Sequence, residues 1–590
     1  MLSGSNTKIK VAALLIAFLT FLIFLPALQY DFVNWDDHVN VYENSAITSL
    51  DSNFLEYMFS FKDTMWIPMT RLSHALDYAA WGLDPMGHHL TNIVLHGFNT
   101  FLVVILIFCL IKTTRPANRS ATSDNENTFL QNTLIAACLT GILFGIHPLR
   151  VESVVWVTER KDVLSGFFIL LCLLSYLKFS LIALKKERWV YYAFSIILFI
   201  MALMSKPIVV TLPVVLVILD IYPLERLTRK SGLKTYIKVL AEKIPFFALS
   251  LTLSMVTLLS YKSEGIIVTL RSHVNLIDKI FIALKSICFY LGKILWPVDL
   301  VPFYSYPSKI DLLTPEYTGS LIVVSGITAF CIFSWKKQKV WSVVWVYFIV
   351  TLLPVLGIMR FGNFVAADRY TYLPSLGPTV LVSLGIVFIY RSISKKHTAN
   401  VFLLFISIFL AALLSILTIQ QAGIWKDSIA LWNHQIKIYP DSYNGNKNLA
   451  NAYARDERIA DAINSLNRAG EINPKDPAIY YNRGIGYGKI GQHQKAIEDL
   501  KKAIELAPQE AKYYYELGVA HGSLGNYRQA IENLNRSIKL DPQFTNAYFY
   551  RGIAYKSLDN DQFFIRDLQI AAQQGHKKAQ DYLLSIGMEW

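Results

Sequence analysis

The chain has 590 residues, of which 53% are apolar, 13% aromatic and only 17% charged, a balance too apolar for a water-soluble protein of this length. Its net charge of +13 is bunched in short stretches between apolar runs, which argues against a nucleic-acid partner. All five cysteines fall inside apolar segments with no C-x-x-C pair, which argues against both a disulfide framework and a thiolate metal site.

Lys8 and Lys10 precede a first apolar run, 11–29, that has no clear small-residue cleavage site and reads as an uncleaved first span. Further runs at 90–111, 133–146, 163–179, 189–204, 207–222, 245–261, 317–335, 340–358, 375–391 and 400–420 are each near the length needed to cross a bilayer. The stretch 275–296 places Asp278, Lys285 and Lys293 on one helical face, which suits a helix lying in the interface. Eleven spans with the N-terminus inside put the basic clusters on the cytoplasmic side, as the positive-inside rule expects. Those clusters are Lys112/Arg115/Arg119, Lys185/Lys186/Arg188, Arg226/Arg229/Lys230/Lys234, Lys336/Lys337/Lys339 and Arg391/Lys395/Lys396. The loops 30–89, 147–162, 262–316 and 359–374, the turn at Ser205 and Lys206, and everything after Gln420 then face outward.

The outer loops hold the residues that could carry chemistry. Asn34-Trp35-Asp36-Asp37-His38 places two adjacent carboxylates directly after the first span, as either a solvated turn or a working acid. The second span opens with His88-His89 and carries Asn92, His96 and Asn99 on the face of His89. Such residues point into the bundle, where they form interhelical hydrogen bonds; the alternative, histidine coordination of a metal, lacks a partner set at ligand spacing. The second loop reads His147-Pro148-Leu149-Arg150-Val151-Glu152-Ser153 and then Glu159-Arg160-Lys161-Asp162. Charges this dense between two spans either bridge one another or line an aqueous cavity. Arginine can grip a phosphate there bidentately and lysine as a point charge. Lys206 at a tight turn suits an anionic lipid head group or a snorkelling side chain. Asp368-Arg369-Tyr370 adds another cation and an interfacial aromatic.

Prolines 440, 474, 508 and 542 recur every 34 residues, the tetratricopeptide (TPR) period. Ala450, Gly484, Gly518 and Gly552 sit where the first helix of each unit needs a small residue, and Ala462, Ala496 and Ala530 where the second does. The expected fold is all-α, a polytopic bundle followed by a TPR solenoid. Its parts are a membrane domain at 1–420, a connecting half-repeat at 421–440, about four repeats at 441–576 and a capping helix at 577–590.

The ordered motifs at 34–38, 88–96, 147–164 and 367–377, followed by TPRs, resemble the transmembrane-and-TPR-containing O-mannosyltransferases and their bacterial relatives. That resemblance implies a GT-C glycosyltransferase fold and a polyprenyl- or dolichyl-phosphate sugar as donor. It also implies action on the non-cytoplasmic face, with the catalytic carboxylate falling on Asp36 or Asp37. Arg150, Arg160, Lys206 and Arg369 are then the expected phosphate ligands, and His147, Glu152, His89, His96, Asp368 and Tyr370 the expected cavity wall. A divalent metal is allowed for but not required. The acceptor is expected to be a hydroxyl, on protein Ser or Thr presented by the TPR groove or on a lipid-linked glycan. The expected location is a bacterial inner membrane with periplasmic repeats, or an endoplasmic reticulum membrane with lumenal ones. The rivals are a non-enzymatic membrane-anchored TPR scaffold and a lipid or polymer transporter. The sequence departs from eukaryotic members in its few TPRs and in Glu159-Arg160-Lys161-Asp162, where they carry Gly-Arg-Ala-Asp.

Overall fold

A computed structural model describes all residues except 1, 62–64, 115–122, 183–185, 230, 264–274, 307–310, 312, 358–363 and 394–397. Arg115, Arg119, Lys185, Lys230, Lys395 and Lys396 of the basic clusters lie outside the described residues. The chain divides into two units, Met1–Asp427 and Ser428–Trp590. The boundary falls beyond 420 because the last apolar helix continues to Ile424.

The first unit contains α1 (Leu2–Phe24), α2 (Ser52–Phe59), α3 (Pro68–Trp81), α4 (Pro85–Thr113), α5 (Ser123–Gly145), α6 (Val151–Val155), α7 (Arg160–Leu181) and α8 (Glu187–Ser205). It continues with α9 (Leu212–Ile221), α10 (Leu233–Ala241), α11 (Ile244–Ser263), α12 (Leu276–Leu295), α13 (Pro315–Ser334), α14 (Lys339–Leu352), α15 (Leu376–Ile393) and α16 (Thr398–Ile424). Among the described residues seven helices are long and apolar enough to cross a membrane, and the pair Leu233–Ala241 and Ile244–Ser260, bent by 42°, makes an eighth candidate. Three shorter apolar helices, Pro207–Ile221, Lys339–Val355 and Leu376–Ser392, occupy the remaining stretches expected to span. The interfacial stretch forms α12, started by Asn275, whose side chain accepts from the Asp278 amide at 2.8 Å.

Local chemistry sets the helix starts and the close approaches. Asp84 caps α4 by accepting from the Met86 amide at 3.0 Å, and Pro85 takes the first helical position, where no N–H is needed. Gly145 lets α5 close on α1 and α4: a Cβ there would lie 2.4 Å from Thr20 Oγ1 and 2.9 Å from Thr100. The strands β1 (Tyr304–Ser305) and β2 (Phe364–Ala366) pair antiparallel, with Tyr304 opposite Ala366.

The alternation of the chain brings the C-terminal ends of α1, α5, α8 and α16 together with the N-terminal ends of α4, α7 and α15. Hydrogen bonds between distant loops close that end: Asp31 N to Lys426 O at 2.9 Å, Thr70 Oγ1 to Ser205 O at 2.9 Å and Arg150 to the Tyr372 carbonyl at 2.9 Å. Every expected outer motif before the repeats falls here.

The second unit begins with a single helix, Ser428–Ile438. Four antiparallel pairs follow: Tyr443–Arg455 with Ile459–Ile472, Pro477–Lys489 with His493–Leu506, Ala511–Ser523 with Tyr527–Leu540, and Thr545–Lys556 with Asp561–Gln573. Lys577–Ser585 closes the array and buries Ala579 and Leu583. The small residues are needed where the period puts them, since a Cβ on Gly518 would lie 2.7 Å from Leu534. Arg483 and Arg551 each bind a carboxylate of their own pair bidentately, Asp499 and Asp567, at 2.7 Å per contact. Each also reaches an asparagine of the preceding pair, Asn467 at 2.8 Å and Asn535 at 2.6 Å. These arginines tie neighbouring repeats together, the nearest-neighbour coupling on which a solenoid depends.

Candidate functional site

The two adjacent acids after the first span have opposite surroundings. Asp37 is 1% exposed. Its Oδ2 accepts from the Val33 amide at 2.9 Å, and its Oδ1 accepts from the Thr158 amide at 3.0 Å and the Thr158 hydroxyl at 2.6 Å. Burial pushes its pKa up to about 7 against the pull of those donors. Asp36 faces solvent, and its carboxylate accepts no hydrogen bond among the described residues. Its backbone is held at φ +75°, a left-handed conformation uncommon for a non-glycine residue and typical of a functional turn. Asp37 is therefore the clamp that docks the loop, and Asp36 the free carboxylate the clamp presents. Trp35 between α1 and this pair stacks on Phe303 at 5.6 Å and packs against Trp156 at 6.2 Å.

Thr158 is followed by Glu159, which sits in a buried ionic network. Glu159 pairs with Lys206 at 3.0 Å, Lys161 at 3.2 Å and Arg369 Nε at 3.4 Å. Lys206 also meets Asp162 at 2.5 Å. Glu152 accepts from the Arg369 amide at 2.7 Å and from its Nη1. Burial opposes the charge on Arg369, but Glu152 outweighs it and holds the guanidinium firmly protonated. The same balance, with Asp162 and Glu159 as the acids, keeps Lys206 charged. Arg369 lies over Trp156 at 5.4 Å and over Phe364 and Tyr370 at 5.1 Å each. Its Nη2 has no partner among the described residues, which leaves one donor edge available.

Arg369 and Tyr370 stand with Asp162 at the polar end of a narrow groove that is otherwise lined mainly by apolar side chains. Ser165, Ile169 and Leu173 form one wall along α7, at the spacing of a single helical face. Val209, Leu212 and Val215 form another, and Tyr347 and Thr351 of α14 contribute further lining.

The other expected residues do not line the groove. Arg150 and Arg160, expected as phosphate ligands, are struts. Arg150 donates to the carbonyls of Thr371 at 3.2 Å and Tyr372 at 2.9 Å and to Ser375 Oγ at 2.5 Å. Arg160 meets Asp77 at 2.5 Å, Asn92 Oδ1 at 2.5 Å, Ser73 Oγ at 3.0 Å and the His88 carbonyl at 2.7 Å. Of the expected cavity wall only Tyr370 lines the groove. His96 is buried between the Tyr372 hydroxyl at 2.8 Å and the Gly145 carbonyl at 2.9 Å, and His89 is 2% exposed. His147 hydrogen-bonds the Ile294 carbonyl at 3.0 Å, and burial lowers its pKa to about 3, so the ring is neutral. Glu152 is engaged by Arg369, while Asp368 accepts from the Tyr304 hydroxyl at 2.9 Å. Burial, with Glu152 nearby, raises the pKa of Asp368. Among the described residues no group of three or more His, Cys, Asp or Glu side chains is placed to hold a metal ion.

Sequence reasoning missed Asp77, Thr158 and Tyr304, the partners of Arg160, Asp37 and Asp368. Only Thr158 lay inside a motif, and an uncharged threonine carries no signal of its own.

Fold and site define a helical membrane protein with a charged, aromatic-walled site at one end of its bundle and a TPR array. The tetratricopeptide repeat model matches 477–510 and 511–544, and a TPR repeat model matches 450–491. Over most of its length the chain is similar to curated proteins named TMTC protein O-mannosyl-transferases. Tmtc1 of Drosophila melanogaster is 24% identical over 527 residues, covering 72% of this chain and 58% of that protein. TMTC4 of Homo sapiens is 23% identical over 424 residues, 65% of this chain and 55% of that protein. TMTC4 of Mus musculus is 22% identical over 498 residues, 74% and 64% respectively. The chain thus spans between 55% and 64% of the length of these relatives. Among solved structures, MamA is 28% identical with a TM-score of 0.25, covering 26% of this chain and 90% of that one. YrrB, a TPR protein with an unusual peptide-binding site, is 14% identical with a TM-score of 0.25, covering 34% and 97%.

Proposed function

We propose that the chain is a GT-C type glycosyltransferase that moves a sugar, mannose by its homologues' names, from a polyprenyl- or dolichyl-phosphate to a hydroxyl on the non-cytoplasmic face. The observation that carries this reading is the groove: an apolar channel between helices whose polar end is Arg369, Tyr370 and Asp162. Such a channel suits an isoprenoid tail with its phosphate at the mouth. Arg369 would offer its open Nη2 edge to the phosphate, and Lys206 would add positive charge beside it. The developing charge of the leaving lipid phosphate is then stabilised by groups already in position.

A hydroxyl acceptor needs a base, and Asp36 is the carboxylate left free to serve. It would take the acceptor proton as the new glycosidic C–O bond forms and the bond from the anomeric carbon to the lipid phosphate oxygen breaks. General-base assistance of this kind supplies on the order of 10²–10⁴ in rate. The TPR groove would hold the acceptor segment, raising its effective concentration. The non-cytoplasmic side would be the periplasm in a bacterium or the lumen of the endoplasmic reticulum in a eukaryote.

The test is transfer by the purified full chain in proteoliposomes, from radiolabelled polyprenyl-phosphate mannose to Ser/Thr-rich peptides. Label appearing on peptide supports the proposal. Label moving only to a lipid-linked glycan would select that acceptor instead. Absence of transfer from every donor would favour a membrane-anchored scaffold.

A further inference from the structure

A second polar site lies at the opposite end of α7. Arg160 starts that helix at the candidate active site and Leu181 ends it, about 30 Å away by the helical rise of 1.5 Å per residue. There Arg188, Arg226, Lys234 and Lys238 line an open cleft together with Ser180 and Thr235. Among the described residues no carboxylate lines it.

The two arginines of this cleft are anchored in a buried ionic cluster. Arg226 pairs with Asp220 at 3.0 Å and Glu242 at 2.5 Å, Arg188 reaches Glu242 at 3.4 Å, and Lys243 pairs with Asp220. Tyr176 donates to Asp220 at 2.8 Å. The two carboxylates are thus shared among three cations, and Lys234 and Lys238 have no acidic partner among the described residues. Five positive charges face two negative ones.

The roof is an amphipathic helix. In α10 Val239 is buried against the bundle, while Leu233, Ile237 and Leu240 are 75%, 60% and 45% exposed. Lys234 and Lys238 sit one turn apart on it. The helix is bent by 42° from the helix that follows, so it leans away from the direction of that span. Trp189, 55% exposed at the start of α8, adds an aromatic ring beside Arg188. Exposed apolar side chains flanked by lysines and an aromatic ring are the marks of a segment resting in the lipid interface.

We propose that this cleft binds the phosphate of an anionic phospholipid in the leaflet opposite the candidate active site, with Lys234 and Lys238 as the principal ligands and the α10 apolar face seated among the acyl chains. Charge complementarity selects the headgroup. The exposed leucines and isoleucine select a lipid over a free anion, because they need hydrocarbon beside them.

The test uses the purified full chain in mild detergent, titrated with phosphatidylglycerol or phosphatidylcholine, with bound lipid counted by native mass spectrometry. Each interfacial lysine is worth roughly a fivefold preference, so wild type should retain phosphatidylglycerol at least about tenfold better than phosphatidylcholine. The double variant K234Q/K238Q should lower that preference to within about twofold. Both lysines are solvent-exposed, so the variant should keep its elution volume and Tm. Raising NaCl from about 0.1 to about 1 M should likewise remove the wild-type preference without any mutation. Equal retention of the two lipids by wild type, or a preference unchanged in the variant or in high salt, would overturn the proposal. Displacement of the lipid by millimolar inorganic phosphate would also overturn it, by showing a site for free anions.

Discussion

Thr158 donates both its amide and its hydroxyl to Oδ1 of Asp37, across 121 residues of chain, while its neighbour Glu159 holds Lys206 and Arg369. Two consecutive residues therefore join the loop after the first span to the ionic network at the mouth of the groove. Disturbing Asp37 should be felt in the placement of Asp36 as well as in stability.

Asp37→Asn puts an amide N–H against the Val33 N–H or the Thr158 donors, whichever way the side chain turns. A buried donor left without an acceptor costs about 1–3 kcal/mol, so this variant should lower Tm in detergent. Asp36→Asn removes no hydrogen bond and should leave Tm unchanged. Equal destabilisation by the two variants would contradict the division of roles.

The raised pKa of Asp37 gives a pH signature of known sign. Between the unfolded carboxylate value near 4 and the folded value of about 7, the folded protein holds a proton that the unfolded chain releases. Asp37 therefore contributes stability that is fully present below about pH 4 and is lost as pH rises towards 7. Other acids add slopes of their own, so the measurement is the difference in Tm between wild type and Asp37→Asn across that window. The gap should narrow as pH rises, and a gap that is constant with pH would contradict the assignment.

Arg160 and Asp77 form a buried ion pair that ties α7 to α3. Breaking such a pair by removing one partner costs about 3–5 kcal/mol. Arg160→Gln should therefore reduce the yield of folded protein sharply, whereas Arg369→Lys should fold and instead raise the KM for the lipid donor. Lysine keeps the charge but cannot offer the planar fork that reaches Glu152 and Glu159 and leaves Nη2 open.

In the repeats, Gly518→Val forces side-chain atoms into the space held by Leu534. Overpacking of this kind costs about 1–3 kcal/mol, more than the few tenths that valine gains over glycine in helix propensity. Thermal unfolding of the full chain, followed at the repeat unit by limited proteolysis, should show it cut at lower temperature than wild type.

The architecture was legible because its signals are periodic. Apolar runs of membrane length and a 34-residue repeat survive in one sequence, and the small residues at 484, 518 and 552 mark packing positions directly. The site was legible only in outline. Asp36 and Asp37 are neighbours in sequence, and nothing in the composition of that turn says which points inward; the donors of Val33 and Thr158, which meet Asp37 only in the fold, decide it. Arg150 and Arg160 look like any cations in an outer loop. Their true partners, the carbonyls of Thr371 and Tyr372 and the carboxylate of Asp77, lie far along the chain and are brought in by helix packing. The groove itself is a product of three-dimensional adjacency between α7, the segment around Val209 to Val215, and α14.

The most direct test of the central claim is single-turnover transfer from radiolabelled polyprenyl-phosphate mannose by wild type and Asp36→Asn at matched folded concentration. Loss of at least about 10²-fold in rate with unchanged Tm and unchanged donor binding is the expected result. Equal rates in the two proteins would contradict Asp36 as the base and, with it, the chemistry assigned to this end of the bundle.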